Sequence, residues 1–99
     1  MVAQLAGRLK DNPNDLDGWR RLARAYAVLD RKADANRAYA RVAALAPNDP
    51  DALWSLGLFA KEHGDTPTAR RRWQTLERVL PANTPERAQV TAAIATLPR

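Results

Sequence analysis

The chain has no cysteine and a single histidine in its 99 residues. The first absence removes disulfides, thiolate nucleophiles and thiolate metal sites together, and it leaves the redox compartment open. One imidazole, that of His63, cannot form the paired ligands of a metal site, and its place in the last turn of an expected helix gives it a sufficient role at the helix end. No glycine-rich phosphate loop is present; the four glycines are scattered. Neither an enzyme nor a bound cofactor or metal is therefore expected. No segment reaches about 18 uninterrupted apolar residues, and residues 1 to 12 lack the apolar core of a signal peptide. Direct membrane insertion of this stretch is not expected, and any anchor or export signal is expected to lie outside it.

What is present is alanine, leucine and arginine. An apolar fraction of 45% suits a single helical domain over residues 1–99, and a charged fraction of 27% argues against disorder. The excess of five positive charges favours an acidic partner, an anionic membrane surface or nucleic acid in general electrostatic terms. The plainer reading is that most arginines, on helix positions facing away from the apolar stripes, are solvated surface.

The apolar pattern repeats. Leu22, Ala23, Ala35, Tyr39, Val42 and Pro47 recur, at a step of 34 residues, as Leu56, Gly57, Ala69, Trp73, Leu76 and Pro81. The same step backwards from Pro47 reaches Pro13, and forwards from Leu56 and Ala60 it reaches Val90 and Ile94. Steps of three and four within each segment predict helices. Residues 2–11, with Val2, Leu5 and Leu9 on one side, read as the second helix of a half-repeat whose first helix is missing. Met1 is accordingly read as an artificial start or a truncation, with an exposed apolar edge as the consequence.

Repeat 1 spans 15–47. Asn14 or Asp15 caps its first helix, which turns Trp19, Leu22, Ala23, Tyr26 and Leu29 inward; Asp30 makes the turn; and Asp34 to Ala46 forms the second, with Ala35, Ala38, Tyr39, Val42 and Leu45 inward. Repeat 2 spans 49–81. Asp49 caps and Pro50 opens its first helix, Gly64 ends it, Thr66 caps the second, and Ala69, Trp73, Leu76 and Leu80 are inward. A capping helix, 85–96, begins at Thr84, Pro85 and Glu86 and seals the apolar side with Val90, Ile94 and Leu97. Because Asp30 holds the place of Gly64, its turn is expected to need a left-handed residue at a cost of about 1 kcal/mol.

At Trp19, Leu22, Tyr26, Ala35, Tyr39 and Pro47 the chain resembles the tetratricopeptide repeat over about residues 16 to 81, with Ala23 and Asp30 in place of the usual glycines and Ala60 in place of the usual tyrosine. The resemblance implies an all-α antiparallel helix-turn-helix superhelix of about two repeats that acts by binding protein. A narrower likeness is carried by Asp51 to Leu58, Gly64, Asp65, Trp73 to Pro81, Pro85, Glu86, Val90 and Ile94. These look like the carboxy-terminal repeat domain of bacterial c-type cytochrome biogenesis factors. That likeness implies a periplasmic domain of a membrane-tethered protein that holds apocytochrome c, with its C-terminal helix as the candidate segment, and serves the haem-ligation complex.

In such repeats the first helix of each pair lines the concave side, and its residues outside the core stripe are the candidates for partner binding. They are Asp17, Arg20, Arg24 and Val28 from repeat 1, and Asp51, Trp54, Leu58 and Lys61 from repeat 2. Ala88 and Ala92 are expected beside them. Trp54 and Leu58 are expected to take the apolar face of a helix or extended tail, with Arg20 and Arg24 orienting a carboxylate. Two alternatives stay open: Trp54 packing on the last helix as core cover, and Arg20 and Arg24 pairing with Asp17 or simply solvated. A generic adaptor or scaffold role is the alternative function. Nucleic-acid binding through Arg70, Arg71, Arg72 and Arg78, or through Arg20, Arg21 and Arg24, fares worse: the clusters face opposite sides and lack stacking platforms. A homodimer through the exposed side of residues 2–11 is a further reading.

Overall fold

In a computed structural model that describes residues 2–99, the described residues form six helices and no strand, in the order α1 (Val2–Asp11), α2 (Leu16–Val28), α3 (Lys32–Leu45), α4 (Pro50–Glu62), α5 (Thr66–Val79) and α6 (Pro85–Ala95). The expectation placed on Met1 lies outside the described residues. The helices divide after Pro47 into two compact units. In the first, α2 packs against α1 and α3; in the second, α5 packs against α4 and α6.

The helix boundaries follow from side-chain caps and positive-φ turns that recur at the sequence step. Asp15 Oδ1 accepts from the Gly18 amide at 3.0 Å, and Asp49 Oδ1 accepts from the Ala52 amide at 3.1 Å. Each satisfies one of the amides that a helix start leaves without a backbone partner. After α2 the Arg31 amide donates to the Tyr26 carbonyl, and after α4 the Asp65 amide donates to the Ala60 carbonyl, at 2.9 and 2.8 Å. This closure requires a left-handed residue just before the donor: Asp30 at φ 58° and Gly64 at φ 77°. The turn assigned to Asp30 is therefore present.

Two starts differ from expectation. Asp65, not Thr66, caps α5, its Oδ1 accepting from the Thr68 amide at 3.2 Å; a carboxylate also complements the positive end of the helix dipole. α3 starts at Lys32 rather than Asp34, with Arg31 in the capping place and no side-chain cap bond. Asp34 lies inside that first turn and holds Arg31 and Arg37 as ion pairs.

The buried set of the first unit is Leu9, Leu22, Ala23, Ala35, Ala38, Tyr39, Val42 and Ala43. Leu29 and Leu45, expected inward, are exposed, at 56% and 38%. Both end their helices: Leu29 is the residue after α2 and Leu45 the last of α3, so the chain turns away before either reaches the core. On α1, Leu9 is buried and Val2 and Leu5 are half-buried, while the exposed residues are small or polar: Ala3, Gln4, Gly7, Arg8, Lys10 and Asp11. The apolar surface that α1 leaves accessible is the partly covered part of Val2 and Leu5. In the second unit Leu53, Ala60, Ala69, Trp73, Leu76, Val90 and Leu97 form one cluster, with Val79, Leu80, Ala93 and Ile94 against it. Residues from α5, α6 and the tail meet there, which is the sealing role expected of the last helix.

Candidate functional site

The eight candidate residues fall in two groups, each on the first helix of its own unit. On α2, Asp17, Arg24 and Val28 are exposed and Arg20 is half-buried. Arg20 Nη1 lies 3.3 Å from Asp17 Oδ1, one turn away on the same helix, so the intrahelical pairing left open for it is present. Such a surface pair contributes about 1 kcal/mol or less. Val28 is 86% exposed. It is the last residue of α2, beside the exposed Leu29, and shows apolar surface with no core function.

On α4, Trp54 and Leu58 are one turn apart, 36% and 38% exposed, with exposed Asp51 and Lys61 flanking them along the helix. The reason for this geometry lies beneath. Trp73 of α5 is buried at 1% exposure, and its indole N–H donates to the Trp54 carbonyl at 3.2 Å. The ring approaches the α4 backbone closely because residue 57 is glycine: a β-carbon there would overlap the indole, and even Cε2 would lie at 2.8 Å. The Trp54 ring then stacks on Trp73, with centroids 5.0 Å apart and planes at 16°.

The core-covering role considered for Trp54 is therefore present in part. One face covers the core, through Trp73 of α5 rather than through α6, and the remainder is open to solvent. An indole held on a buried ring has lost its rotamer freedom before a ligand arrives, so a partner that docks on it does not bear that ordering cost. Ala88 and Ala92 on α6 are exposed. Sequence reasoning missed that Trp73 is the support of Trp54. The signal was available: the pair Ala23 and Tyr39 becomes Gly57 and Trp73, a smaller residue where the ring is larger.

The remaining chemistry is sparse. His63 stacks on Phe59, with centroids 4.0 Å apart, and its Nδ1 lies 2.9 Å from the Phe59 carbonyl, so it serves the end of α4 as expected. Among the described residues no three histidine or acidic side chains gather as a metal-binding group. No helix among them is long and apolar enough to cross a membrane. Arg70 Nη2 donates to the Pro98 carbonyl at 2.7 Å. Arg72 is half-buried, and burial, followed by the charge of Arg71, draws its pKa below the ordinary arginine value.

No family model matches the chain. It is similar to two curated proteins that bear the same description, cytochrome c-type biogenesis protein CycH. With that of Rhizobium meliloti (strain 1021) it is 56% identical over 32 residues, 32% of this chain and 8% of the relative. With that of Pseudomonas aeruginosa it is 36% identical over 61 residues, 60% of this chain and 15% of the relative. The matched stretches are thus a small part of each relative's length.

Proposed function

We propose that the chain is a non-enzymatic docking module in c-type cytochrome biogenesis, and that its α4 face receives a helical segment of apocytochrome c. The observation that carries the docking part is Trp54, stacked on a buried ring yet about a third exposed, with Leu58 one turn away. An aromatic and an aliphatic anchor at i and i+4 suit the apolar stripe of an amphipathic helix, and the flanking Asp51 and Lys61 suit its polar edges. The part that names cytochrome biogenesis is supported by the similarity to the two CycH proteins. On this reading the chain works in the periplasm as a domain of a membrane-tethered protein.

The reading is tested by titrating a peptide corresponding to an apocytochrome c C-terminal helix into wild type, Leu58→Ala and Trp54→Ala. Leu58→Ala is the cleaner variant, because Trp54→Ala also uncovers Trp73. Each is expected to weaken binding by at least fivefold while helix content is retained. Equal affinity across the three would reject the α4 face as the anchor. Tight binding of unrelated amphipathic helices by wild type would favour a general adaptor instead.

A further inference from the structure

The second helices of the two units differ in how their positive charge is handled. At the start of α3, the capping-place Arg31 and Arg37 of the helix both pair with Asp34. One repeat later the place of Asp34 is taken by Thr68, and α5 carries Arg70, Arg71, Arg72 and Arg78 with Glu77 as its single acid. That acid is engaged elsewhere, its Oε2 accepting from the Thr91 hydroxyl at 2.6 Å. Three arginines of α5 have neutral hydrogen-bond partners or none: Arg70 meets the Pro98 carbonyl, Arg78 Nη2 donates to Thr75 Oγ1 at 3.4 Å, and Arg72 Nε is buried without a hydrogen-bond partner. The Arg71 side chain is exposed and makes no hydrogen bond or close ion pair among the described residues, and the carboxylate its charge reaches is the solvent-exposed Asp65 at the start of the helix.

Helix physics does not account for this set. Cations gain from the dipole only in the last turn, which Arg78 occupies, whereas Arg70 to Arg72 lie nearer the positive end. Neighbouring guanidinium groups also repel one another. We propose that the outer face of α5 is a second docking surface, taking an acidic helix of a partner protein whose carboxylates engage Arg71 and Arg78. These two exposed residues lie seven apart, two turns and about 10.5 Å along the axis, which is the spacing of carboxylates at i and i+7 on an accompanying helix. The fork of a guanidinium matches a carboxylate in two parallel hydrogen bonds. Gln74, exposed between them, offers a neutral hydrogen-bonding group to the partner's intervening turn. A nucleic acid fits less well, since the aromatic ring of this helix, Trp73, is buried and gives no stacking platform. A lipid surface fits less well because no large apolar side chain of α5 is exposed to enter it. This surface is independent of the α4 face, so the two readings stand or fall separately.

The probe is an alanine-rich helical peptide with two glutamates seven residues apart, titrated into the full chain at low salt. Arginine side-chain NMR signals and anisotropy of the labelled peptide report binding. The Arg71 and Arg78 signals are expected to move first. Arg71→Glu with Arg78→Glu should weaken binding at least tenfold, and the same peptide with lysines for glutamates should bind that variant better than it binds wild type. If the charge reversal disturbs the fold by circular dichroism, Arg71→Gln with Arg78→Gln takes its place and should weaken binding at least threefold. Equal movement of all exposed arginines, or variant affinity within twofold of wild type, would overturn the proposal. So would displacement of the peptide by an oligonucleotide or by anionic vesicles at lower charge concentration.

Discussion

The pairs α2–α3 and α4–α5 close with the same backbone hydrogen bonds at matching positions, yet they distribute bulk differently. Where the first pair places Ala23 and Tyr39, the second places Gly57 and Trp73, so volume added on one helix is removed from the other. The first unit buries Leu9, Leu22 and Val42 beside Ala23, Ala35, Ala38 and Ala43, while the second buries Leu53, Leu56, Leu76, Val90 and Leu97 beside Ala52, Ala60 and Ala69. A buried leucine contributes about 1.5–3 kcal/mol of transfer free energy, and alanine much less. The repeat thus dictates backbone geometry, and it conserves packing volume across a pair of positions rather than at each one. The exchange has a functional by-product. The larger ring lies flat on α4 and supports Trp54, a platform that the first unit, with Arg20 at the matching place, does not build.

Trp73→Ala is the most direct way to remove the difference. It deletes the ring at the centre of the second unit's cluster and should cost about 3–5 kcal/mol, read as the shift in urea or thermal unfolding. It should also quench the docking of helices on α4, because Trp54 loses its support. A cost under about 1.5 kcal/mol would show that the indole is not the centre of that core. The next effect is a matched pair. Gly57→Ala gains about 1 kcal/mol in helix propensity but drives a β-carbon into the ring; net destabilisation of about 1–3 kcal/mol is expected. Combining it with Trp73→Tyr recreates the Ala23 and Tyr39 pairing, so the double variant should be more stable than the sum of the two single changes requires. Additive losses would sink the idea of exchanged volume.

Much of this fold was legible in the sequence because helix caps and core stripes are local or periodic signals. Asp15, Asp49 and Thr84 cap as their residue types demand, and Leu22, Val42, Leu56 and Leu76 are buried where the step of 34 puts them. The misses arise where the pattern meets a helix end or another helix. Leu29 and Leu45 carry the right spacing but lie where the backbone turns away. Thr66 and Asp65 both satisfy the capping preference, so residue type does not separate them, and the cap expected at Thr66 falls at Asp65. At the candidate site the exposure of Trp54 and Leu58 followed from their offset from the core stripe. The stacking of Trp54 on Trp73 depends on a contact between helices that no count along one helix gives.

A smaller difference lies in the turns. Asp30 and Gly64 both hold positive φ, but only glycine does so without a β-carbon opposed by the preceding turn. Asp30→Gly should stabilise the first unit by up to about 1 kcal/mol, and Gly64→Asp should weaken the second by a similar amount. A lower melting temperature for Asp30→Gly would mean that the aspartate side chain contributes more to the turn than its backbone strain costs.

The smallest effect concerns the start of each second helix, where Arg31 gives α3 no side-chain cap and Asp65 gives α5 one. Hydrogen bonds from Thr68 hold the Asp65 carboxyl below its ordinary pKa of 3.8 against the opposing effect of desolvation, with the charge of Arg71 adding the least. A folded-state pKa below the unfolded one means that the ionised cap stabilises the fold above pH 3.8 and that this contribution is lost as pH falls through the lower value. The Thr68 amide, which donates to Asp65 Oδ1, should therefore show an NMR titration step with its midpoint below 3.8. Asp65→Asn should abolish the step and leave α5 capped, since an asparagine oxygen accepts the same bond without titrating. A midpoint at or above 3.8, or an unchanged step in the asparagine variant, would show that the carboxylate is solvated rather than engaged in the cap.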